Sequence, residues 1–323
     1  MAIRPRVKNL DVCRFGGIHF CMTKILNPHF AGATFPKMLR LFSLPAVTLL
    51  LIFVDRFWGV MGSAHINMLA AVVIVLAGIP HGTLDVEIAA AHFGQRGIAG
   101  KTKIIACYLC CAAAMIFLWF RLPELALISF LIISIVHFGR DWRGGADPFL
   151  AMMVGWALVA LPALASPDDV ARIFATLTGS DKGAVIAALL GAASVPAALG
   201  SLVFAYWAFR HDDTQSALDV LSCIAAALVL PPLMAFALFF CGLHSPRHMA
   251  DALRETGDLS HLKKTAIICA VFALSLGLGV LMFLFQGAIP TDMGIIRTAF
   301  ILISTLTVPH FILEHILSDK NPA

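Results

Sequence analysis

Four short motifs in this sequence place histidine beside glycine, proline or an acidic residue. They are Pro80-His81-Gly82-Thr83-Leu84-Asp85, His137-Phe138-Gly139-Arg140-Asp141, His244-Ser245-Pro246-Arg247-His248 and Pro309-His310-Phe311-Ile312-Leu313-Glu314-His315. Each motif lies at or near one end of a long apolar segment. Neutral imidazole binds iron, copper and zinc, and a polar side chain in a membrane is costly unless it finds a partner. We therefore predict that histidines distant in the sequence meet in one metal site.

The same motifs contain three acidic residues, Asp85, Asp141 and Glu314. A metal-bound histidine commonly donates its second N–H group to a carboxylate, which fixes the tautomer of the ring. His81 and Asp85, and likewise His310 and Glu314, are spaced i,i+4 and would share one face of a helix. Each acid could instead serve a histidine on a neighbouring helix. Both arrangements predict acids that support the metal ligands.

Pro246 separates His244 from His248. On a continuous helix the two histidines would lie on one face and could bind one ion. However, proline disrupts a helix interior, and Ser-Pro is typical of an N-cap followed by a first helical residue. We therefore expect a new helix to start at this point, so helical spacing alone does not establish that His244 and His248 converge.

The remaining histidines and the other catalytic motifs that we considered do not indicate a second functional site. We expect the remaining histidines to be solvated, in or near loops (His65, His92, His211, His261) or in the N-terminal tail (His19, His29). The sequence contains no H-E-x-x-H motif, which argues against a zincin-type intramembrane protease. It also lacks a Walker lysine motif, a G-x-S-x-G elbow and a C-x-x-C-H haem attachment motif.

The elements that carry these motifs are long and apolar. The 323-residue chain is 60% hydrophobic and 13% charged, with a mean hydropathy of +0.90. Runs of about 17–25 apolar residues, each long enough to cross a bilayer as a helix, recur along it. We predict an all-α, polytopic integral membrane bundle of nine to ten hydrophobic helices. The segments are 43–57, 64–80, 102–120, 122–138, 147–165, 185–209, 216–231, 232–245, 265–286 and 294–317.

Positive charge predicts the orientation of these segments. Residues 1–42 form a basic tail that we expect to be poorly ordered and cytoplasmic, where anionic lipid headgroups suit it better than nucleic acid does. Alternate loops after it are richer in lysine and arginine, which favour the cytoplasmic side. On this count all four histidine motifs lie at the cytoplasmic side of a bacterial inner membrane. We further expect an extra N-terminal segment at 43–60, a main domain at 61–317 and a short cytoplasmic tail at 318–323.

The sequence resembles the Brp/Blh-type β-carotene 15,15′-dioxygenases, a family of membrane proteins, over roughly residues 64–317. The resemblance rests on the order and approximate spacing of four stretches, 78–85, 133–139, 240–248 and 306–310, which read GIPHGTLD, ISIVHFG, FCGLHSPRH and LTVPH. Two positions depart from the family pattern. Pro246 stands where a non-proline residue is expected, and Asp141 follows His137 by four residues where the family acid comes one residue later.

The resemblance implies that His81, His137, His244 and His248 bind Fe(II). It further implies a supporting role for His310. Asp85, Glu314 and Asp141 are candidate supporting acids from their places in the histidine motifs, and we assign catalysis to the metal itself rather than to a side-chain acid or base. The implied reaction is cleavage of the central double bond of β-carotene by O2, which gives two molecules of all-trans-retinal. The implied partners are β-carotene, O2, the lipid bilayer and a functionally linked retinal-binding rhodopsin.

Alternative functions follow from the same residues. A di-iron membrane hydroxylase or desaturase would contain two irons and usually uses about eight histidines in H-x-x-H-H clusters; no such cluster occurs here. A non-catalytic metal transporter would spread its histidines across the depth of the membrane. A polyene-binding protein without turnover would differ only in activity.

Overall fold

The computed structural model describes residues 37–287 and 289–319, and these ranges form helices with no strand. This confirms the predicted all-helical class. The elements, in chain order, are α1 (Lys37–Trp58), α2 (Ala64–His81), α3 (Asp85–His92), α4 (Ile98–Arg121), α5 (Pro123–Arg140), α6 (Pro148–Ala165), α7 (Pro167–Thr178), α8 (Lys182–Ala192), α9 (Ser194–Arg210), α10 (Thr214–Val229), α11 (Pro232–Phe239), a π-helical turn (Phe240–His244), α12 (Ser245–Glu255), α13 (His261–Leu284) and α14 (Thr291–Asp319).

Every apolar segment predicted from the sequence contains a helix, but the predicted count of nine to ten hydrophobic helices is not confirmed. Within the described ranges, six helices are long and apolar enough to cross a membrane, or seven if α8 and α9, bent by 41° at their junction, cross as one. The sixth segment is divided between α8 and α9, and the eighth between α11 and the π-helical turn. The seventh segment, α10, has 16 residues and a length of about 24 Å, short of the roughly 30 Å of hydrocarbon.

Three helices, α3, α7 and α12, lie between the apolar segments. The sequence predicted a helix start at Ser245 and Pro246, where α12 begins, but it did not predict α3 and α7. All three are short, and none is apolar throughout. Helix α7 shows why such a stretch still folds: Pro167 occupies its first turn, followed by Asp168 and Asp169, whose charges favour a helix N-terminus.

Helix α1 begins at Lys37, so residues 37–42, which we assigned to a poorly ordered tail, are helical. The residues there include Lys37, Met38, Leu39 and Arg40, all good helix formers. The helix packs against α10, and Leu44 and Thr48 are buried. The rest of the predicted tail, 1–36, and residues 320–323 of the C-terminal tail lie outside the described residues.

Helices α5 and α6 pack closely because glycines face each other at their contact. A Cβ atom on Gly155 would overlap the α5 backbone at Ile135 and Gly139, and a Cβ on Gly139 would lie 3.1 Å from the Ala151 carbonyl oxygen. Small residues allow such backbone approach in helix pairs that lack a hydrophobic driving force. The contact holds the C-terminal end of α5, which carries His137, against the bundle.

The outer surface of the bundle is apolar. Large hydrophobic side chains such as Phe57, Phe117 and Leu274 are exposed. A soluble monomer rarely exposes so much apolar surface, whereas lipid tails accommodate it. The six apolar helices are therefore compatible with an integral membrane protein. The four histidines expected to be solvated within the described residues are exposed, as predicted: His65, His92, His211 and His261.

Candidate metal centre

Five imidazole rings meet at one end of the bundle. They come from the end of α2 (His81), the end of α5 (His137), the π-helical turn (His244), the first half of α12 (His248) and α14 (His310). Ring centroids are 4.4 Å apart for His244 and His248, 4.8 Å for His137 and His244, and 5.1 Å for His81 and His310. The four histidines named as metal ligands from the sequence are thus together, and His310, expected in a supporting role, lies among them.

The π-helical turn explains how Pro246 is accommodated. Helix α12 begins at Ser245 with Pro246 in its first turn, as expected from the sequence. The chain does not break there, because His244 and Ser245 both keep helical backbone angles. A π-helical turn already departs from the α-helical hydrogen bonds, so proline can follow it at little cost. His244 and His248 consequently face the same side.

Two of the acids pair across helices rather than along one helix. His310 Nδ1 hydrogen-bonds Asp85 Oδ2 at 2.8 Å, and His137 Nδ1 lies 3.0 Å from Glu314 Oε2. The sequence left two arrangements open, and the structure has the one in which each acid serves a neighbouring helix. The pairs formed are therefore not His81 with Asp85, nor His310 with Glu314, which are spaced i,i+4 along the chain.

Asp141 contacts two histidines at once. Its carboxylate accepts hydrogen bonds from His244 Nδ1 at 2.7 Å and from His248 Nε2 at 2.9 Å. Burial alone would raise the pKa of this carboxyl group, but His244 and His248 hold the pKa well below its usual value. Asp141 is therefore a buried anion beside the cluster, and it fixes the orientation of two rings.

Sequence reasoning missed two further contacts of the site. The Tyr108 hydroxyl lies 3.4 Å from Asp85 Oδ2 and 3.3 Å from the Leu306 carbonyl oxygen. Arg247, next to His248, donates to the buried Asp219 of α10 at 2.6 Å. Asp219 could have been noticed, because it is a lone acid in the apolar segment 216–231 and such acids usually have a partner. Nothing in the sequence marks Tyr108.

The donor set fits a metal ion that binds nitrogen. Nδ1 of His81, Nε2 of His244 and Nε2 of His310 are buried and have no hydrogen-bond partner among the described residues. Buried polar atoms rarely lack a partner, and a bound metal ion would provide one for these three nitrogens. Two trios, His81–His137–His310 and His137–His244–His248, each hold ligand nitrogens within 4.8 Å of one another. Two imidazole nitrogens on one ion lie up to roughly 4 Å apart, so small adjustments bring these nitrogens into range.

Comparisons with known proteins point to one family. A family model described as beta-carotene 15,15′-dioxygenase matches residues 72–318, which contain all five histidines and the three acids of the centre. A curated relative described as beta-carotene 15,15′-dioxygenase, from uncultured marine bacterium 66A03, is 30% identical over 262 residues. The alignment covers 78% of this chain and 94% of the relative. No solved structure gives a significant match to the chain.

Proposed function

We propose that this chain, which belongs to the β-carotene 15,15′-dioxygenase family, cleaves β-carotene with O2 at its central 15,15′ double bond. The products are two molecules of all-trans-retinal. One O2 balances the reaction, because the double bond breaks and each of its two carbons gains one oxygen atom. The oxidised group is the alkene, and O2 is the oxidant.

The observation that carries this proposal is the cluster of imidazoles with unpartnered ring nitrogens inside an apolar bundle. Fe(II) would be held by His81, His137, His244 and His248, and the bound iron supplies the activation of O2. Asp141 would fix the tautomer of each of its two partners, with the proton on Nδ1 of His244 and on Nε2 of His248. Glu314 would fix the tautomer of His137, and Asp85 would orient His310.

The protein itself supplies orientation and a dry site. Asp85, Asp141 and Glu314 each contact a histidine of the cluster, so none of them is assigned the role of general acid or base. Phe138 and Phe240 stand beside the cluster, with centroids 5.0 Å and 5.3 Å from His244. These apolar rings exclude water next to the ligands and present a surface that suits a hydrocarbon.

The membrane is the natural source of the substrate. A C40 hydrocarbon has almost no polar group, so recognition rests on shape and on burial of apolar surface. We place the chain in a bacterial inner membrane with the N-terminus and the metal centre toward the cytoplasm, in line with its lysine and arginine distribution. A rhodopsin that binds retinal is the partner we propose for the product.

The direct test is cleavage by the purified protein. With Fe(II), O2 and β-carotene, we expect retinal as the product by chromatography and one iron per chain by metal analysis. His81→Ala, His137→Ala, His244→Ala and His248→Ala should each lower bound iron and abolish turnover together. His65→Ala is a matched control, because His65 lies on α2 with His81 but is exposed.

Specific outcomes would overturn the proposal. Absence of any cleavage product from a carotenoid, with iron bound, would exclude the dioxygenase function. Two irons per chain would favour the di-iron hydroxylase or desaturase. Loss of activity in His65→Ala equal to that in His81→Ala would show that the effect is not specific to the centre.

A further inference from the structure

A narrow apolar cavity of about 80 Å³ adjoins the metal centre. Its wall on α5 runs from Phe130 to Phe138, eight residues or about 12 Å along the helix axis. Phe138 is shared by the cavity and the metal centre, since it lines the cavity and its ring contacts His244. The Phe138 ring therefore lies between this cavity and His244 of the imidazole cluster.

Stacked aromatic rings connect this cavity to the centre. Phe300 and Phe236, both in the cavity wall, are stacked with centroids 6.0 Å apart. Phe236 stacks on Phe240 at 5.2 Å, and Phe240 stacks on His244 at 5.3 Å. The planes of successive rings differ by 27°, 19° and 22°. Because stacked rings cover each other's faces, the row presents ring edges, and the face of a flat conjugated ligand can pack against these edges as in edge-to-face aromatic pairs.

One polar group interrupts the apolar wall. Ser134 lines the cavity one helical turn before His137, and its hydroxyl is buried without a hydrogen-bond partner among the described residues. Its residue exposure is 3%. Serine in a helix can bond the carbonyl four residues earlier, and Ser134 does not. A buried hydroxyl without a hydrogen-bond partner lowers the stability of the protein, so a ligand that accepts a hydrogen bond from Ser134 would be bound more tightly.

We propose that this cavity is the subsite that binds the aldehyde end of the conjugated product, with the adjoining polyene carbons against Phe300 and Phe236 and the carbonyl oxygen accepting a hydrogen bond from Ser134. The inference rests on the proposed function for the identity of the aldehyde. β-Carotene has no oxygen, so Ser134 distinguishes product from substrate. The hydroxyl stands near the centre, where cleavage generates the carbonyl group.

Binding without turnover tests the subsite. The iron-loaded protein in detergent, kept free of O2, is titrated with all-trans-retinal and with the hydrocarbon analogue that has a methyl group in place of the aldehyde. Binding is followed by quenching of tryptophan fluorescence. Ser134→Ala should weaken retinal binding by about 2- to 12-fold, the range for one net hydrogen bond, and leave the hydrocarbon unchanged. Phe236→Leu should weaken both ligands.

Two controls report on nonspecific effects. Ser222→Ala removes a helix hydroxyl that bonds the Leu218 carbonyl and does not line the cavity, and Phe209→Leu removes an exposed ring on α9. Both should bind the two ligands like the parent protein. Equal weakening of both ligands by Ser134→Ala, or no change in retinal binding, would overturn the role of Ser134. Unchanged binding in Phe236→Leu would overturn the subsite. Because no cleavage is required, these outcomes are separable from failure of the dioxygenase proposal.

Discussion

Each of the three acids at the centre contacts a histidine that a different element supplies. Asp85 at the start of α3 serves His310 on α14, Glu314 on α14 serves His137 on α5, and Asp141 serves both His244 and His248. A carboxylate that fixes a ring in this way commonly changes metal affinity about 10- to 100-fold when removed. The acids therefore link the elements as well as orienting the rings.

Asp141 gives the sharpest prediction among single residues, because its carboxylate hydrogen-bonds two histidines of the cluster. Asp141→Asn keeps the side-chain shape but removes the charge and one acceptor. We expect iron affinity to fall about 10- to 100-fold, measured by competition with a chelator. Asp251→Asn is the control, since Asp251 pairs with Arg254 at the exposed surface of α12. Equal iron affinity in Asp141→Asn and the parent protein would contradict the role assigned to Asp141.

Among the elements, α2 depends on a glycine at its contact with the π-helical turn. A Cβ atom on Gly78 would lie 2.6 Å from Cε1 of Phe240, whose ring faces both His81 and His244. Glycine at this position of α2 therefore allows the Phe240 ring to stand beside the cluster. The glycine in the Gly78–Asp85 motif thus has a packing role distinct from metal binding.

We expect Gly78→Ala to lower thermal stability, because overpacking at a rigid contact costs about 1–3 kcal/mol. It should also displace the Phe240 ring and reduce carotenoid cleavage. Gly277→Ala on α13 is the matched control, since a Cβ there meets no atom within 4 Å and alanine favours a helix. The melting temperature in detergent should fall for Gly78→Ala and stay the same or rise for Gly277→Ala. A lower melting temperature for Gly277→Ala than for Gly78→Ala would contradict the packing role of Gly78.

At the scale of the whole molecule, one ion would join three separate parts of the chain: α2, α5 and the region from the π-helical turn to α12. Any ligand that binds only the folded protein stabilises it, by about 4 kcal/mol at a free concentration 1,000 times Kd. We expect removal of iron by a chelator to lower the melting temperature and added Fe(II) to restore it. His81→Ala should lose this response and His65→Ala should keep it. A melting temperature independent of iron in the parent protein would argue against the site.

The proposed orientation is testable by labelling single cysteines. Asp181→Cys lies between α7 and α8 on the side we assign to the exterior, and Ser260→Cys lies before α13 on the cytoplasmic side. In spheroplasts, a membrane-impermeant thiol reagent should modify Asp181→Cys directly and Ser260→Cys only after permeabilisation. The parent protein reports labelling of the native cysteines. Labelling of Ser260→Cys in intact spheroplasts, with Asp181→Cys labelled only after permeabilisation, would show the opposite orientation.

Much of this architecture could be predicted because long apolar runs and histidine motifs are local features. Each apolar segment contains a helix, and the four histidines chosen as ligands lie together. The acid pairings could not be assigned, since Asp85 is four residues from His81 yet bonds His310, 225 residues away. Such choices depend on how helices are arranged in space. Helix α7 was missed because its amphipathic sequence lacks an apolar run of membrane-spanning length.

The separation of α2 and α14 along the chain has a consequence for biosynthesis. Helix α14 supplies His310 and Glu314, and it packs against α2, which enters the membrane more than two hundred residues earlier. A nascent chain can therefore insert its first helices before Asp85 and His137 have met their partners His310 and Glu314. The contacts that orient these groups at the centre are complete only after α14 has been translated and inserted.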